Sequence, residues 1–376
     1  MKFELYIDNH AYQKGIEDYI YSIQNIFFKN NLKVNIVKKI SKDVDVLFII
    51  ENFAKPSKDL INFLKTSKSR GVKLCLIHTE FVDENLYFNT FTSREIFYRK
   101  CLLVKILSYL YQLDNNDYKK LLFYSFLFVY LTLGFTLGFK FVEIKKRIFF
   151  ALRDYNFPKY LKFFDYNIVL SDDLYNCLKQ HKKIKNIFYL QNYFDISLFE
   201  KFISKDLKNN LLYLSGYKTP YRIKVLRNQN IKNFNNFFIN SSINTDKYNF
   251  SKKNLIDFNL LFTKESFINK ITNIYKRKFN LNINKFEIYI AQRKNWPYLS
   301  TTRIIRAFRN ESIPINIGSY NKSNYEKLCI NTKSLDHFIE NYSLTITDYH
   351  NKLENNIKEF NTVSDDMFNY FIKNIK

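Results

Sequence analysis

Glycine is scarce in this sequence: only six of its 376 residues are glycine. None of them forms GxGxxG or GxxxxGK[ST], the motifs whose glycines let the backbone approach phosphate groups closely. The HExxH and GxSxG motifs of hydrolases are absent as well. The sequence therefore gives no support to a dinucleotide-binding fingerprint, a P-loop or either hydrolase motif.

Cysteine is also scarce, and its spacing is informative. The four cysteines lie far apart and form no CxxC pair: Cys75, Cys101, Cys177 and Cys329. This excludes a cysteine-based zinc site of the usual spacing and fits reduced thiols in a cytosolic setting. No signal peptide is visible, because residues 1–9 have the pattern of a strand. We therefore expect a cytoplasmic protein.

Positive charge is what the sequence has in excess. Lysine and arginine number 59 against 35 acidic residues, which gives a net charge of +24. Such a charge attracts polyanions: nucleic acid, an anionic membrane surface or a phosphorylated ligand. The hydrophobic fraction of 46% is that of a globular chain, long enough for one large domain or two ordinary ones.

The hydrophobic pattern alternates between strands and helices. Apolar runs of strand length occur at 3–8, 32–40, 44–50, 72–78, 166–171 and 186–190 in the first half, and at 211–216, 234–240, 258–262, 286–291 and 313–318 in the second. Helical stretches separate many of them, which predicts right-handed crossovers and parallel sheets. The polar segment 200–210 is the predicted linker. We predict an α/β protein with a first domain at 1–205, a second at 206–345 and C-terminal helices at 346–376 that pack back on the first domain.

A helical, aromatic-rich insertion at about 92–163 interrupts the first domain. It contains LLFYSFLFVYLTLGFTLGF (121–139), an uncharged run with Lys119 and Lys120 before it and Lys140 after it. The run is long enough to span a bilayer. A single span would, however, separate strands 3–78 from strands 166–190, which should share one sheet. Three alternatives remain: a helix docked on an anionic membrane surface, a buried core helix, or a true span.

Four stretches in order resemble the nucleotide-sugar-dependent GT-B glycosyltransferases of the group 1 type. DYNIVLSDDLYNCLKQ (165–180) and IFYLQNYFDISLFEK (187–201) are similar to the end of that family's first domain. NLLYLSGYKTPYRIKVL (210–226) is similar to the phosphate-facing start of the second domain, and NWPYLSTTRIIRAFRNESIPINIG (295–318) falls where the family binds its donor. The resemblance implies two Rossmann-like domains with the donor pocket between them.

The sequence departs from the family pattern at three places. Arg306 precedes Ala307 where many retaining members carry a glutamate, YLSTT replaces a glycine-rich turn, and Tyr193 follows Asn192 in place of a glycine. The resemblance therefore leaves open whether the reaction retains or inverts the anomeric configuration.

Two stretches are the candidate donor site. Ser300, Thr301, Thr302 and Arg303 open a helix after a strand, where hydroxyls, helix N–H groups and a guanidinium can bind a diphosphate. The alternative is one hydroxyl acting as an ordinary N-cap, with the arginines in solvent.

Gly216, Lys218 and Arg222 supply the other side of the expected pocket. Thr219 and Pro220 between them are a good N-cap and first helical residue. The alternative here is a capped helix with solvated charges.

The candidate catalytic residues follow the strand 72–78. In a two-domain transferase the first domain faces the acceptor, and His78 or Glu80 is placed to act as a general base there. The alternative is a strand-end histidine bonded to backbone, and His10 competes for the role. Asp172 and Asp173 more simply complement the start of a helix.

The main hypothesis is a glycosyltransferase that moves a sugar from a nucleotide-sugar donor to a lipid-linked or surface-polysaccharide acceptor, at the membrane periphery. Preorganised positive charge would stabilise the leaving diphosphate, so we expect no bound metal or cofactor. The main hypothesis also includes no nucleic-acid partner. One alternative is a basic nucleic-acid-binding protein, favoured by the net charge and an 18% aromatic content. Another is a GT-B-like membrane-associated scaffold that has lost catalysis.

Overall fold

The protein is described from a computed structural model. The described residues are 1–7, 17–54, 56–88, 97–98, 100–112, 117–138, 141–194, 210–213, 221, 224–225, 228, 236–239, 255–257, 286–290, 301–309, 312–317, 326–334, 337–338, 346–361 and 366–375.

The first domain is built on a six-stranded parallel sheet with the order β2-β1-β3-β4-β5-β6. Its strands are β1 (Phe3–Tyr6), β2 (Val34–Val37), β3 (Val46–Ile50), β4 (Lys73–Ile77), β5 (Tyr166–Val169) and β6 (Ile187–Tyr189). The central strand β3 is buried along its whole length. That is why its sequence, VLFII, is continuously apolar rather than alternating.

Helices cover this sheet, and local sequence signals set their ends. They include α1 (Glu17–Lys29) and α2 (Lys58–Thr66). Ser57 caps α2, since its hydroxyl accepts a hydrogen bond from the Leu60 amide at 3.2 Å. Gly71 takes the left-handed conformation, with φ of 68°, just before β4. Glycine adopts that conformation without the steric cost of a Cβ, so the chain turns from the 3-10 helix Lys68–Arg70, which follows α2, into the sheet.

The predicted helical insertion lies between β4 and β5. It forms α3 (Leu102–Gln112), α4 (Asp117–Thr136) and α5 (Phe141–Leu161). Tyr98 and Tyr130 stack at 4.2 Å between ring centroids, and each hydroxyl donates to the other residue's carbonyl oxygen. These two rings centre a separate small core. In the described part of the chain, no helix is both long and apolar enough to cross a membrane.

The second domain contains another six-stranded parallel sheet, with the order β12-β11-β10-β7-β8-β9. Its strands are β7 (Asn210–Tyr213), β8 (Asn236–Ile239), β9 (Leu255–Asp257), β10 (Phe286–Tyr289), β11 (Ile313–Ile317) and β12 (Ile330–Thr332). Helix α7 (Thr301–Arg309) joins β10 to β11, and α6 (Asp172–Leu178) joins β5 to β6 in the first sheet.

The chain returns to the first domain at its C-terminal end, through α8 (Ile346–Asn361) and α9 (Asp366–Ile375). Phe368 packs edge-on against Phe27 at 5.3 Å, and Phe371 against Phe188 at 5.3 Å. The Tyr166 hydroxyl donates to the Asn374 carbonyl oxygen at 2.7 Å. Helix α9 therefore completes the core on one face of the first sheet.

The predicted fold class is confirmed: two parallel α/β domains with a helical insertion in the first. The bounds differ in detail, because apolar runs extend beyond the residues that pair. The strand predicted at 258–262 lies outside the described residues, and β9 stands just before it at Leu255–Asp257. The sequence analysis also missed the short edge strand β12.

Candidate functional site

The strand orders place the candidate site at the carboxyl ends of both sheets. In the first sheet, β2 lies on one side of β1 and β3 on the other; in the second, β8 and β10 flank β7. Ligands of open α/β sheets bind at such switch points, outside the carboxyl ends of the strands. The crevices are therefore expected beyond β1 and β3 and beyond β7 and β10.

Most of the predicted donor residues follow the second switch point along the chain. Gly216, Lys218 and Arg222 come after β7, and Ser300 comes after β10; these four lie outside the described residues. Helix α7 begins at Thr301, so Thr302 and Arg303 lie in its first turn. Only their backbone is described, so their roles at the donor site stay predictions.

Thr301 has partners other than a ligand. It is buried; its hydroxyl donates to the Leu170 carbonyl oxygen and accepts a hydrogen bond from Asn192 Nδ2 at 2.6 Å. Asn192 Nδ2 also reaches the Leu170 oxygen at 2.8 Å. Leu170 and Asn192 belong to the first domain. The hydroxyl expected to face the donor diphosphate therefore joins the two domains.

His78 follows β4, as predicted, and is buried. Its Nε2 lies 2.8 Å from Asn167 Oδ1, while Asn167 Nδ2 donates to the Lys185 carbonyl oxygen. The Nε2–H of His78 is thus the donor, and its buried Nδ1 has no hydrogen-bond partner. Burial lowers the pKa of His78 to about 4, although the Asn167 hydrogen bond opposes this shift. His78 is therefore neutral at neutral pH and packed against Phe157.

A charged cluster lies beside it, centred on Arg153 of α5. Both oxygens of Glu51, the residue after β3, accept from Arg153 Nε at 3.0 and 2.9 Å. Arg153 Nη1 lies 3.3 Å from Glu80 Oε2, and Nη2 donates to the Thr79 hydroxyl at 3.1 Å. The guanidinium stacks on Phe88, 3.8 Å from the ring centroid. One cation therefore holds two carboxylates at the carboxyl edge of the first sheet.

Burial and charge act in opposite directions in this cluster. Burial raises the pKa of Glu51, and the Arg153 guanidinium opposes that shift. Burial alone would lower the pKa of Arg153, but the carboxylates of Glu51 and Glu80 raise it overall. Arg153 therefore remains charged throughout the physiological range. Glu80, whose side chain is 17% exposed, is the more accessible of the two carboxylates.

The sequence analysis missed both Arg153 and Glu51. Glu51 directly follows a buried strand, which is the signal that identified His78, so the same criterion would have found it. Arg153 carries no such signal, because it lies inside a helix of the apolar insertion. His10 lies outside the described residues, and Asp172 and Asp173 are buried in the first turn of α6.

Two other features of the described residues lie apart from this edge. A cavity of about 670 Å³ lies at the amino ends of β4–β6, opposite the candidate site, and Lys73, Lys162, Lys183 and Lys185 are among its lining residues. Over the ranges that the structure describes, no three His, Cys, Asp or Glu side chains are placed to share a metal ion.

Comparison with solved structures identifies the architecture. No protein-family model matches the sequence, and no curated protein shows significant sequence similarity to it. A solved alpha-glucosyltransferase, in complex with UDP-glucose and DNA containing an abasic site, aligns over 99% of this chain and 98% of its own. The TM-score is 0.53 and the sequence identity 12%.

A glycotransferase of kitacinnamycin aligns over 96% of this chain and 94% of its own, with 8% identity. Its TM-score of 0.35 is too low to indicate a common fold. The first alignment covers nearly the whole of both chains, and therefore both parallel sheets of this one. This chain therefore has the GT-B fold, with a helical insertion between β4 and β5.

Proposed function

We propose that this protein is a glycosyltransferase that uses a nucleotide-sugar donor. The observation that carries the proposal is the alignment, over nearly the full length of both chains, with an alpha-glucosyltransferase whose structure contains UDP-glucose. The two switch points, one in each domain, support it, because a two-domain transferase needs a donor crevice and an acceptor crevice that face each other.

The donor diphosphate is proposed to bind beyond β7 and β10. Gly216 permits close approach of the backbone there, and Lys218, Arg222 and Arg303 supply positive charge. Ser300 and Thr302 supply hydroxyl donors near the amino end of α7, whose dipole favours an anion. These groups would stabilise the charge that develops on the leaving diphosphate, with no bound metal required of the protein. Thr301 is assigned to holding the domains together.

The acceptor is proposed to bind beside the first switch point, beyond β3 and β4. Glu80 is the more accessible carboxylate there, and a carboxylate can take the proton of an acceptor hydroxyl within hydrogen-bond reach. Arg153 holds Glu80 in place from α5. His78 is buried and neutral, which does not suit a base that contacts the acceptor. Its proposed role is to position this edge of the sheet through the hydrogen bond to Asn167.

The acceptor itself is proposed to be lipid-linked or a surface polysaccharide. DNA is the second candidate acceptor, favoured by the net charge of +24 and by the DNA in the solved alpha-glucosyltransferase complex. Nucleic acid, which was not expected as a partner from the sequence, is therefore a candidate partner in this proposal.

The donor is tested by thermal unfolding with a panel of nucleoside diphosphates. A ligand at one hundred times its Kd stabilises the native state by about 2.7 kcal/mol, so a specific base gives a clear shift in Tm. We expect one base to stand out. A panel without any shift would contradict the proposal.

A matched pair of arginines tests the donor position. Arg303 is in the first turn of α7 and Arg309 ends it. Arg303→Ala is expected to weaken binding of the selected nucleoside diphosphate by about 1.5–3 kcal/mol, the scale of a hydrogen bond to a charged group. Arg303→Lys should not restore it fully, since an ammonium lacks the bidentate fork. Calorimetric titration in which Arg303→Ala and Arg309→Ala both bind like the wild type would remove α7 from the donor site.

Transfer of a radiolabelled sugar separates the remaining alternatives. Label appearing in a lipid extract or in polysaccharide supports the first acceptor class, and label on duplex DNA supports the second. Donor binding without transfer to any acceptor, or to water, would identify the protein as a scaffold that has lost catalysis. Steep loss of DNA affinity with salt, without nucleotide binding, would identify a nucleic-acid-binding protein instead.

A further inference from the structure

The exposed apolar side chains of this protein are concentrated in one segment. Among the described residues, twelve large apolar side chains are exposed, and nine of them lie between residues 97 and 138. They are Phe97, Leu102, Tyr109, Tyr118, Leu121, Tyr124, Phe128, Val129 and Phe135. Soluble monomers scatter such residues singly, whereas their concentration in one place marks an interaction surface.

Six of the nine form one face of α4. At 100° per residue, Tyr118, Leu121, Tyr124, Phe128, Val129 and Phe135 fall within an arc of about 140°. Phe128, at its centre, is 71% exposed. Tyr130 lies on the opposite side and is buried against Tyr98. The helix is thus apolar on both sides, one packed on the insertion's own core and one uncovered; we call the uncovered side the α4 face.

The charges around the α4 face are predominantly positive. Residues 99–147 contain nine Lys and Arg against three Asp and Glu, and none of these charges falls between 121 and 139. Lys105 is exposed on α3, between the exposed Leu102 and Tyr109. An apolar helix face bordered by cations matches a bilayer surface with anionic headgroups, since the face enters the acyl boundary while the cations meet the headgroups.

We propose that the α4 face is a docking surface for an anionic lipid bilayer, with α4 lying in the plane of the interface. No helix among the described residues is both long and apolar enough to cross a membrane. In this proposal α4 attaches the protein to one leaflet. A second copy of this chain fits the face less well, because pairing would bring two positively charged borders together. The docking surface itself does not depend on the proposed function. Only its consequence does, namely that docking would bring the first domain close to a lipid-linked acceptor.

Docking would also orient the acceptor side of the site. Helix α5 follows α4 directly and supplies Arg153, which contacts Glu51 and Glu80. The face and the acceptor-side cluster therefore belong to the same insertion.

Vesicle binding tests the proposal with a matched pair of variants. Leu121→Ser with Phe128→Ser removes apolar surface from the α4 face without changing charge. Phe28→Ser with Tyr370→Ser removes exposed apolar surface from α1 and α9 instead. All four side chains are at least half exposed, so both double variants should keep the wild-type Tm.

The measurement is co-flotation with vesicles of phosphatidylcholine plus phosphatidylglycerol, and with phosphatidylcholine alone. We expect the wild type and the control to bind the anionic vesicles and the α4-face variant to bind at least about tenfold more weakly. Equal binding by all three proteins, no wild-type binding, or equal binding to neutral vesicles would overturn the proposal. So would a wild-type oligomer that the α4-face variant disperses.

Nucleotide-induced Tm shifts, measured in parallel, keep the two proposals apart. The α4-face variant should respond to a nucleoside diphosphate as the wild type does. A protein that binds vesicles through this face but responds to no nucleotide would keep the docking surface and overturn the proposed function.

Discussion

At the residue scale, Arg153 determines whether the acceptor edge can carry two carboxylates. Glu51 is fully buried and Glu80 is partly exposed, and the negative charge of Glu80 raises the pKa of Glu51. Without a cation between them, one carboxyl group would have to be protonated. Arg153 contacts both and stacks on Phe88, so it supplies the charge and is itself held in position.

Replacing Arg153 by methionine should therefore leave Glu51 buried and unpaired. We expect the free energy of unfolding to fall by about 3–5 kcal/mol, the usual cost of removing one partner of a buried ion pair. The folded-state pKa of Glu51 lies above its unfolded value and would rise further. Such a group stabilises the fold below its unfolded pKa and loses that contribution as pH rises through its folded pKa. The loss should thus be larger at about pH 8 than at about pH 5.

Urea denaturation at the two pH values measures this effect. The double variant Arg153→Met with Glu51→Leu should recover most of the lost stability, because the fully buried Glu51 carboxylate is then absent as well. A single variant as stable as the wild type at the higher pH would contradict the account.

His78 makes the protein sensitive to acid. Its pKa is lowered from 6.5 to about 4 in the folded protein, so protonation favours the unfolded state. Its contribution to stability is complete above pH 6.5 and is lost as pH falls toward 4. At 1.36 kcal/mol per unit, the loss is about 3 kcal/mol. His78→Gln keeps an N–H near Asn167 and should remove this dependence.

The check is the difference in unfolding free energy between the wild type and His78→Gln, followed through that pH range. His337→Gln is the control, because the His337 side chain is exposed. If the wild type and His78→Gln lost stability in parallel as the pH falls, folding would not lower the pKa of His78.

At the element scale, helix α9 belongs to the first domain although it lies far from that domain's strands along the chain. Phe371 contacts Phe188 of β6, which precedes it by 183 residues, and Phe48 of β3.

 The helix has one apolar side, and that side fills the gap over Phe27, Phe48 and Phe188. The first sheet therefore reaches its full core only when the last helix has docked.

Adjacent residues of α9 give a matched test of this docking. Phe371 is fully buried, whereas Tyr370 is 57% exposed. Phe371→Ala should lower the free energy of unfolding by about 3–5 kcal/mol, the usual cost of emptying a buried Phe site. Tyr370→Ala should cost far less, because little of its surface is removed from water. Denaturation curves in which the two variants lose equal stability would show that α9 does not complete this core.

At the scale of the whole molecule, polar contacts join the second domain and helix α8 to the segment that follows β6. Asn192 and the Leu170 carbonyl oxygen of the first domain meet Thr301 at the start of α7. Asn361 of α8 exchanges hydrogen bonds with the backbone of Phe194, at 3.0 Å and 2.8 Å. Both contacts lie just after β6, so the arrangement of the domains depends on this short segment.

Removing the Thr301 hydroxyl should weaken that junction. Thr301→Val keeps the shape of the side chain but leaves Asn192 without this buried partner. The expected loss of unfolding free energy is about 1–3 kcal/mol, the cost of an unsatisfied buried group. Thr301→Ser retains the hydroxyl and should keep most of the stability. Thermal unfolding measures both variants, and a valine variant with the wild-type Tm would show that the contact contributes nothing to the fold.

Much of the fold could be predicted from the sequence, whereas less of the site could. The run that became β3, and the part of β4 after Lys73, are continuously apolar because both faces of a central parallel strand are buried. Such runs are visible without a structure. Residues after strand ends, such as His78 and Glu80, could be chosen by the same logic. Their environments could not, because burial and partners depend on elements that are remote in the sequence.

The sequence by itself determined the two parallel α/β domains, the helical insertion and the positions of polar residues after the strands. These features follow from local periodicity and from the apolar runs that burial requires. Only the tertiary structure decided that Arg153 pairs with Glu51 across 102 residues and that Thr301 binds the other domain across 131. It also decided which side of α4 stays uncovered. The sequence of a helix that is apolar all round does not show which side is buried. In α4, the buried side is the one on which Tyr130 stacks against Tyr98.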